Sequence, residues 1–179
     1  MLIELILVPA LLATPTVSWD FEGQALKQFS SAISAYTHTH RSAVQQLAPA
    51  LPCRGPEAIT MRRDELAGNI RAARPDAHEG DIFTPSVAFV LRKRLRDAIP
   101  RLMPMPADEA WQPAEQNEGS PLAVNEFLPW QHGTHPYEPL LSVLPALPEE
   151  LEYRLSGSDL VLLDVDARIV VDILREAVP

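Results

Sequence analysis

This chain has one cysteine and lacks the sequence motifs of the common catalytic sites. Cys53 is the single cysteine among 179 residues, which excludes an internal disulfide, a zinc ribbon and a Cys-x-x-Cys redox pair. There is no glycine-rich phosphate loop, paired-carboxylate helix motif or Ser-His-Asp arrangement. We therefore expect a protein that is not an enzyme. A small hydrolase is an alternative, which would need a pocket with a nucleophile beside an oriented base.

Positive charge is also scarce, with 15 lysines and arginines against 24 acidic residues and a net charge of −9. This balance argues against a nucleic-acid partner. The charge is uneven, because residues 54–101 carry ten basic side chains and residues 102–179 carry fourteen acidic ones. We expect the basic run Arg92 to Arg94, with Arg96 and Arg101, to pair with the acidic C-terminal part. Binding of an external anion is the alternative.

The N-terminal segment is apolar from Leu2 to Ala13 except for Glu4, which is too short to span a bilayer. It has the length of a signal-peptide core, but the first basic residue is Lys27 and no clean Ala-x-Ala site follows. We interpret residues 1–18 as an atypical or truncated export signal, so that the mature chain has no transmembrane span and is periplasmic or otherwise exported. A buried element of a cytoplasmic protein is the alternative.

Helical periodicity dominates residues 19–100. Apolar residues recur every three or four positions from Asp20 to Leu47, with Asp20 as the N-cap. A second helix is predicted from Pro56 to Arg74. A third is predicted to start at Pro85, with Thr84 as its N-cap, and to close at Pro100.

Proline interrupts regular structure in the next segment. Residues 100–148 hold ten of the 18 prolines, which excludes a long helix or a central strand over most of that length. We interpret residues 101–148 as a linker or a wrapping arm. Its large apolar side chains are predicted to dock on the rest of the protein: Trp111, Phe127, Leu128 and Trp130.

Three short apolar runs make residues 149–179 a three-stranded antiparallel meander: Leu151–Leu155, Leu160–Val165 and Ile169–Leu174. The first run alternates apolar and polar residues, whereas Leu160 to Leu163 is apolar throughout and should be covered on both faces by helices. The fold class is therefore α+β, with the meander packed on amphipathic helices as one domain overall.

The segment LVLLDVDARIV resembles the first motif of haloacid-dehalogenase-type phosphotransferases, in which a strand delivers two aspartates to a magnesium site. Asp164 and Asp166 would be those aspartates. The sequence departs from that family at Arg168, where the motif usually has a small or hydroxyl residue, and we do not expect the large parallel α/β domain that follows the motif in that family. We therefore interpret the two aspartates as polar residues at a hairpin turn and expect no catalytic residue here.

The tail also resembles a second family, through Leu147-Pro148, Tyr153-Arg154, Gly157, Asp159–Asp164 and Val170–Asp172. In these residues it is similar to the C-terminal hairpin of the RcnB-type periplasmic nickel and cobalt homeostasis proteins. The whole chain resembles uncharacterised bacterial proteins with predicted export signals, through Tyr36, His40-Arg41, Gly80–Phe83 and the tail. These resemblances imply an exported, non-catalytic protein that binds an unidentified protein partner or supports an envelope complex.

Five histidines could carry chemistry. On a helix, His38 and His40 lie about 200° apart and cannot share a metal ion. His40 falls on the apolar stripe, so we expect a hydrogen-bonded core histidine. His132, His135 and Glu138 lie in one loop and are ligand types that suit a transition metal such as zinc, nickel or copper. They predict a periplasmic metal-binding protein as the alternative function, with His78 or His38 as a further ligand.

Overall fold

The computed structural model describes residues 20–48, 55–102, 122–129 and 133–178. Within these ranges, four helices and three strands follow one another: α1 (Phe21–Gln45), α2 (Pro56–Ala73), α3 (Pro85–Leu102), the short α4 (Glu138–Leu141), β1 (Leu151–Ser156), β2 (Asp159–Asp164) and β3 (Val170–Leu174). The predicted α+β class is confirmed. The segment 1–18, Trp111, Trp130 and His132 lie outside the described residues.

The helices begin where capping chemistry predicts. The Asp20 side chain accepts a hydrogen bond from the Gly23 N–H at 2.9 Å and so satisfies a free donor of the first turn of α1. Pro56 and Pro85 occupy the first positions of α2 and α3, where a missing N–H costs nothing. Ile59 on α2, although aliphatic, is 64% exposed.

The predicted end of α3 at Pro100 is wrong, because the helix continues to Leu102 with Pro100 inside it. A proline within a helix loses its own N–H bond and crowds the preceding turn. Only two helical residues follow Pro100, so most of the hydrogen-bond ladder of α3 is unaffected.

The three strands form an antiparallel sheet in the order β1-β2-β3. Residues of β1 alternate between buried and half-buried, as predicted, whereas every residue of β2 after Asp159 is buried. The register shifts between Leu162 and Leu163, where β2 pairs with β3. The turn between these strands closes at Arg168, whose φ of 56° lies in the left-handed region.

The two faces of the sheet have different cover. Leu160 and Leu162 point to the main core, which they share with α1, α2 and α3. Val161 and Leu163 point the other way and pack with Leu128, which is 1% exposed. Helical cover was expected on both faces. Among the described residues, the cover of the second face comes from the proline-rich segment, through Leu122 and Leu128.

The proline-rich segment also pairs with both edges of the sheet. Phe127 bridges Ile169 beside β3, and Thr134 bridges Leu155 on β1 with N···O distances of 2.8 and 2.9 Å. These short contacts satisfy backbone groups that an edge strand would otherwise leave free.

The basic run on α3 was expected to pair with acidic side chains of the C-terminal part, but within the described residues its ion pairs are with helices. Arg94 binds Glu22 of α1 at 2.7 Å, and Lys93 binds Asp97 one turn along its own helix at 2.7 Å. Arg92 donates two hydrogen bonds to the carbonyl oxygen of Arg175. The contact of this run with the tail is therefore made through the backbone carbonyl of Arg175.

Among the described residues, no helix combines the length and the apolar character that crossing a membrane requires.

Candidate functional site

The most concentrated chemistry lies where α1 meets the end of β2. Asp164 is fully buried and accepts hydrogen bonds on both carboxylate oxygens. Its Oδ2 accepts from the Tyr36 hydroxyl at 2.7 Å and lies 2.6 Å from His40 Nδ1. Tyr36 and His40 are one helical turn apart, so both side chains leave the same face of α1. His40 is therefore the hydrogen-bonded core histidine that its position on the stripe predicted.

The other oxygen of Asp164 holds the turn that follows the strand. Asp164 Oδ1 accepts from the Ala167 N–H at 2.7 Å, and the Asp164 backbone carbonyl accepts from the Arg168 N–H at 2.9 Å. The carboxylate thus caps the β2–β3 turn, in line with the interpretation of a polar residue at a turn. Its burial and its bonds to α1 were not predicted.

Asp166 lies on the opposite side of the imidazole. Its Oδ2 is 3.5 Å from His40 Nε2, and its side chain is 63% exposed. Both ring nitrogens of His40 therefore face carboxylates of the same chain. In the described residues, no serine, threonine or cysteine side chain hydrogen-bonds to the ring, so this arrangement directs no base at a nucleophile.

Titration of the network follows from these contacts. The hydrogen bond that His40 donates to Asp164 raises the pKa of His40 above its ordinary value, burial opposes that rise, and the charges of Asp164, Asp166 and Glu150 add to it. Burial, together with the Asp164 charge, raises the pKa of Tyr36 far above its ordinary value. Tyr36 is therefore a neutral donor at any physiological pH, and His40 gains protons more readily than a free imidazole.

A second aspartate in β3 holds a loop. Asp172 is fully buried and accepts hydrogen bonds from the backbone N–H groups of Gly80, Ile82, Phe83 and Ile173, all at 2.7 or 2.8 Å. Gly80 has a φ of 92°, a conformation that favours glycine. Burial raises the pKa of Asp172, and the four N–H donors oppose that rise.

Asp172 lies inside β3, and the loop Gly80–Phe83 is bound to its carboxylate. The Phe83 ring stacks on Phe29 of α1 at 6.2 Å between centroids. One signal could have identified the anchor, since an aspartate within the apolar run VVDIL needs internal hydrogen-bond donors.

Arg74, just after α2, lies between the two aspartate centres. Its guanidinium carbon is 5.0 Å from the centre of the Tyr36 ring, and its Nη2 donates to the Val171 carbonyl of β3 at 3.4 Å. The Arg74 carbonyl in turn accepts from the Asn125 side chain at 3.0 Å. A single arginine therefore joins α1, β3 and the proline-rich segment, and sequence periodicity gave no sign of it.

An open cleft of about 560 Å³ lies beside this network, where the end of α1 and the start of α2 face the β2–β3 turn. We call it the helix–turn cleft. Its lining is largely aliphatic and arginine side chains: Val44, Leu47, Ile59, Arg62, Arg63, Leu66, Val165, Asp166 and Arg168. Asp166 thus belongs both to the cleft and to the environment of His40.

A second groove, of about 580 Å³, runs between α1 and residues 145–148. Hydroxyl groups and His38 lie along it, and Arg41 is the cationic side chain of its lining. Arg41 already binds the buried carboxylate of Glu150 at 3.0 Å. The cationic side chain of this groove is therefore already paired with a carboxylate, unlike Arg62 and Arg168 of the helix–turn cleft within the described residues.

The predicted metal ligands are not brought together by what the structure describes. His135 and Glu138 are exposed, with Glu138 at the start of α4, and His132 lies outside the described residues. Within the described part of the chain, no group of three or more histidine, cysteine or acidic side chains is arranged to hold a metal ion. Metal binding at His132, His135 and Glu138 stays a prediction. Calorimetric titration with zinc, nickel and copper tests it against a His132→Ala/His135→Ala variant.

No family model matches this chain, and comparisons with curated proteins and with solved structures likewise gave no match.

Proposed function

We propose that this chain is an exported bacterial protein that binds a protein partner in the cell envelope and catalyses no reaction. The observation that carries the proposal is how the buried polar groups are used. Asp164 accepts hydrogen bonds from Tyr36, His40 and a backbone N–H, and Asp172 accepts them from backbone N–H groups of the same chain. These contacts fix helices and loops to the sheet, which is a structural use of residues that catalysis would leave available.

The surface supports a binding role. Four of the large apolar side chains that are more than a third exposed lie in or beside the helix–turn cleft, namely Val44, Ile59, Val165 and, through its contact with Arg63, Phe127. Scattered exposed apolar residues need no explanation, but a cluster of them is typical of an interaction site.

Two measurements on the native cell test this proposal. Fractionation with mass spectrometry of the mature N-terminus is expected to recover the chain from the envelope without Met1. Chemical cross-linking of the full chain across its whole surface is expected to give a defined adduct with one protein. Recovery only from the cytoplasm with Met1 intact would contradict export, and a chain that remains free of adducts would contradict partner binding.

A further inference from the structure

The helix–turn cleft exposes aliphatic surface that the described part of the chain leaves uncovered. Ile59 is 64% exposed, Val165 39% and Val44 37%, and they come from three different elements. Leu66, by contrast, is 4% exposed at the base of the cleft. The cleft therefore has a closed apolar floor and open apolar sides.

Cationic side chains dominate the polar part of the same lining. Arg62, Arg63 and Arg168 face a single carboxylate, Asp166, although the chain as a whole has a net charge of −9. Arg62 and Arg168 donate to the carbonyl oxygens of Ala48 and Leu128 and form no ion pair within the described residues. The guanidinium charges of these two arginines are thus not neutralised locally by a carboxylate that belongs to the fold.

The open shape favours a polypeptide over a small ligand. Sites for small molecules enclose most of the ligand surface, whereas a cleft with sides as exposed as Ile59 would leave a small ligand largely in water. A chain that passes through the cleft can continue its contacts on either side. Its aliphatic residues would cover Val44, Ile59 and Val165, and its carboxylates would meet the arginines.

We propose that the helix–turn cleft docks an extended acidic segment, with interspersed aliphatic residues, of the partner protein. This inference rests on the proposed function and adds where the partner binds and what chemistry it presents.

Arg168 gives the inference independent weight. It occupies the left-handed region with a φ of 56°, where an ordinary side chain is strained and glycine or asparagine is favoured. Its Nε is buried and has no hydrogen-bond partner among the described residues. The side chain of this strained residue both donates to the Leu128 carbonyl oxygen and lines the cleft.

Site-specific photo-cross-linking tests the proposal. A photoreactive phenylalanine replaces Ile59 in the full chain, produced in its native cells, and Ala72, exposed on the same helix outside the cleft lining, carries it in the control. Position 59 is expected to give an adduct whose partner peptide is rich in aspartate, glutamate and aliphatic residues, and position 72 is not.

Two kinds of outcome would overturn the inference. One is an adduct to a second copy of this chain, to another part of the same chain, to lipid, or to a partner segment without excess acidic charge. The other is an equal adduct yield at positions 59 and 72. If whole-surface cross-linking still captures a partner, the proposed function survives while the docking site is wrong.

Charge variants of the cleft give a second test, because removing a positive and removing a negative side chain should change the adduct yield in opposite directions. Each is combined with the photoreactive residue at position 59. Arg62→Glu is expected to lower the adduct yield about fivefold, because each exposed ion pair contributes modestly to binding and reversal also adds repulsion. Asp166→Asn is expected to raise the yield. The matched control is Arg96→Glu on α3, exposed and outside the lining. Equal yields in all three variants would contradict charge recognition.

Arg168→Gly separates binding from folding. Glycine relieves the left-handed strain, so the melting temperature is expected not to fall, while the adduct yield from position 59 falls with the lost guanidinium. A full adduct yield in a folded Arg168→Gly variant would remove Arg168 from the docking site. If that variant loses stability, Arg168→Asn, which also tolerates the left-handed region, takes its place.

Discussion

Asp164 and Asp172 are both fully buried but are satisfied in different ways. Asp164 accepts hydrogen bonds from two side chains of α1 and from one backbone N–H of its own turn. Asp172 accepts four bonds from backbone N–H groups, three of them in the loop 80–83. A buried carboxylate is costly unless such donors surround it, so each aspartate fixes the segment that supplies its donors.

Asp172→Asn tests the loop anchor. An asparagine amide has one acceptor oxygen and would direct its NH2 group at backbone N–H donors, leaving some of them unpaired. We expect the free energy of unfolding in urea to fall by about 2 to 4 kcal/mol, since each unsatisfied buried donor costs about 1 to 3 kcal/mol. Asp76→Asn, at an exposed position near the same loop, is the control and should change little. An Asp172→Asn variant as stable as the unmodified chain would refute the anchoring role.

His40 makes stability depend on pH with a definite sign. Its pKa in the folded state is raised above the ordinary value of about 6.5. The stabilisation it gives is thus fully present below that value and is lost as the pH rises through the folded-state pKa. We expect the unfolding free energy of the unmodified chain, relative to that of His40→Gln, to decrease from pH 6 towards alkaline pH.

His38→Gln removes an exposed imidazole from the same helix and is the control for that titration. It should keep the pH dependence of the unmodified chain. A difference between the unmodified chain and His40→Gln that is constant across the pH range would show that the charge of His40 is not coupled to folding.

Sequence periodicity identifies His40 as a core residue but not its partner. The hydrogen bonds of Asp164 to Tyr36 and His40 join residues 128 and 124 positions apart, a separation that no local pattern records. The fold brings Tyr36 and His40 to Asp164, and it brings the loop 80–83 to Asp172. Their roles emerge only when the helices and the sheet are packed together.

The cover of the sheet is the main finding for the secondary-structure elements. α1, α2 and α3 cover one face, and residues of the proline-rich segment cover the other. The apolar run in β2 predicted two covered faces correctly. It could not identify the second cover, because a segment without a helical or strand period gives no pattern that indicates which surface it packs on.

Leu128→Ala tests this second cover. Leu128 is 1% exposed and packs with Val161, Leu163, Val170 and Ile173. Truncation should lower the unfolding free energy by about 2 to 5 kcal/mol, the cost of a large cavity in a core. The control Leu141→Ala, at a leucine that is 39% exposed, should cost less than about 1 kcal/mol. An equally small loss of unfolding free energy from both substitutions would mean that the proline-rich segment contributes little to the core.

Helix boundaries illustrate what local chemistry decides. The starts of α1, α2 and α3 follow from Asp20, Pro56 and Pro85, because capping and the first helical turn depend on a few adjacent residues. The end of α3 does not follow from Pro100, because a proline near the end of a helix disturbs only the turn before it.

At the scale of the whole molecule, contacts distant in sequence tie the helices to the meander. α1 binds β2 through Asp164, the loop 80–83 binds β3 through Asp172, and Arg92 of α3 binds the Arg175 carbonyl. We expect these ties to make the helices and the sheet unfold together, as small single domains do.

Asp164 is the structural anchor that joins α1 to the end of β2. Removal of a functional residue often leaves stability unchanged or increases it, because active sites trade stability for function. Removal of an anchor leaves buried groups unpaired. Asp164→Asn therefore distinguishes the two roles, and Asp166→Asn, 63% exposed and next but one in sequence, is the matched control.

The decisive measurement is urea unfolding of these two variants, followed by circular dichroism for the helices and by amide resonances for the strands. We predict that Asp164→Asn lowers the unfolding free energy by about 2 to 4 kcal/mol with coincident transitions for helices and strands, and that Asp166→Asn changes it by less than about 0.5 kcal/mol. An Asp164→Asn variant at least as stable as the unmodified chain would contradict the account and favour a functional site at this position.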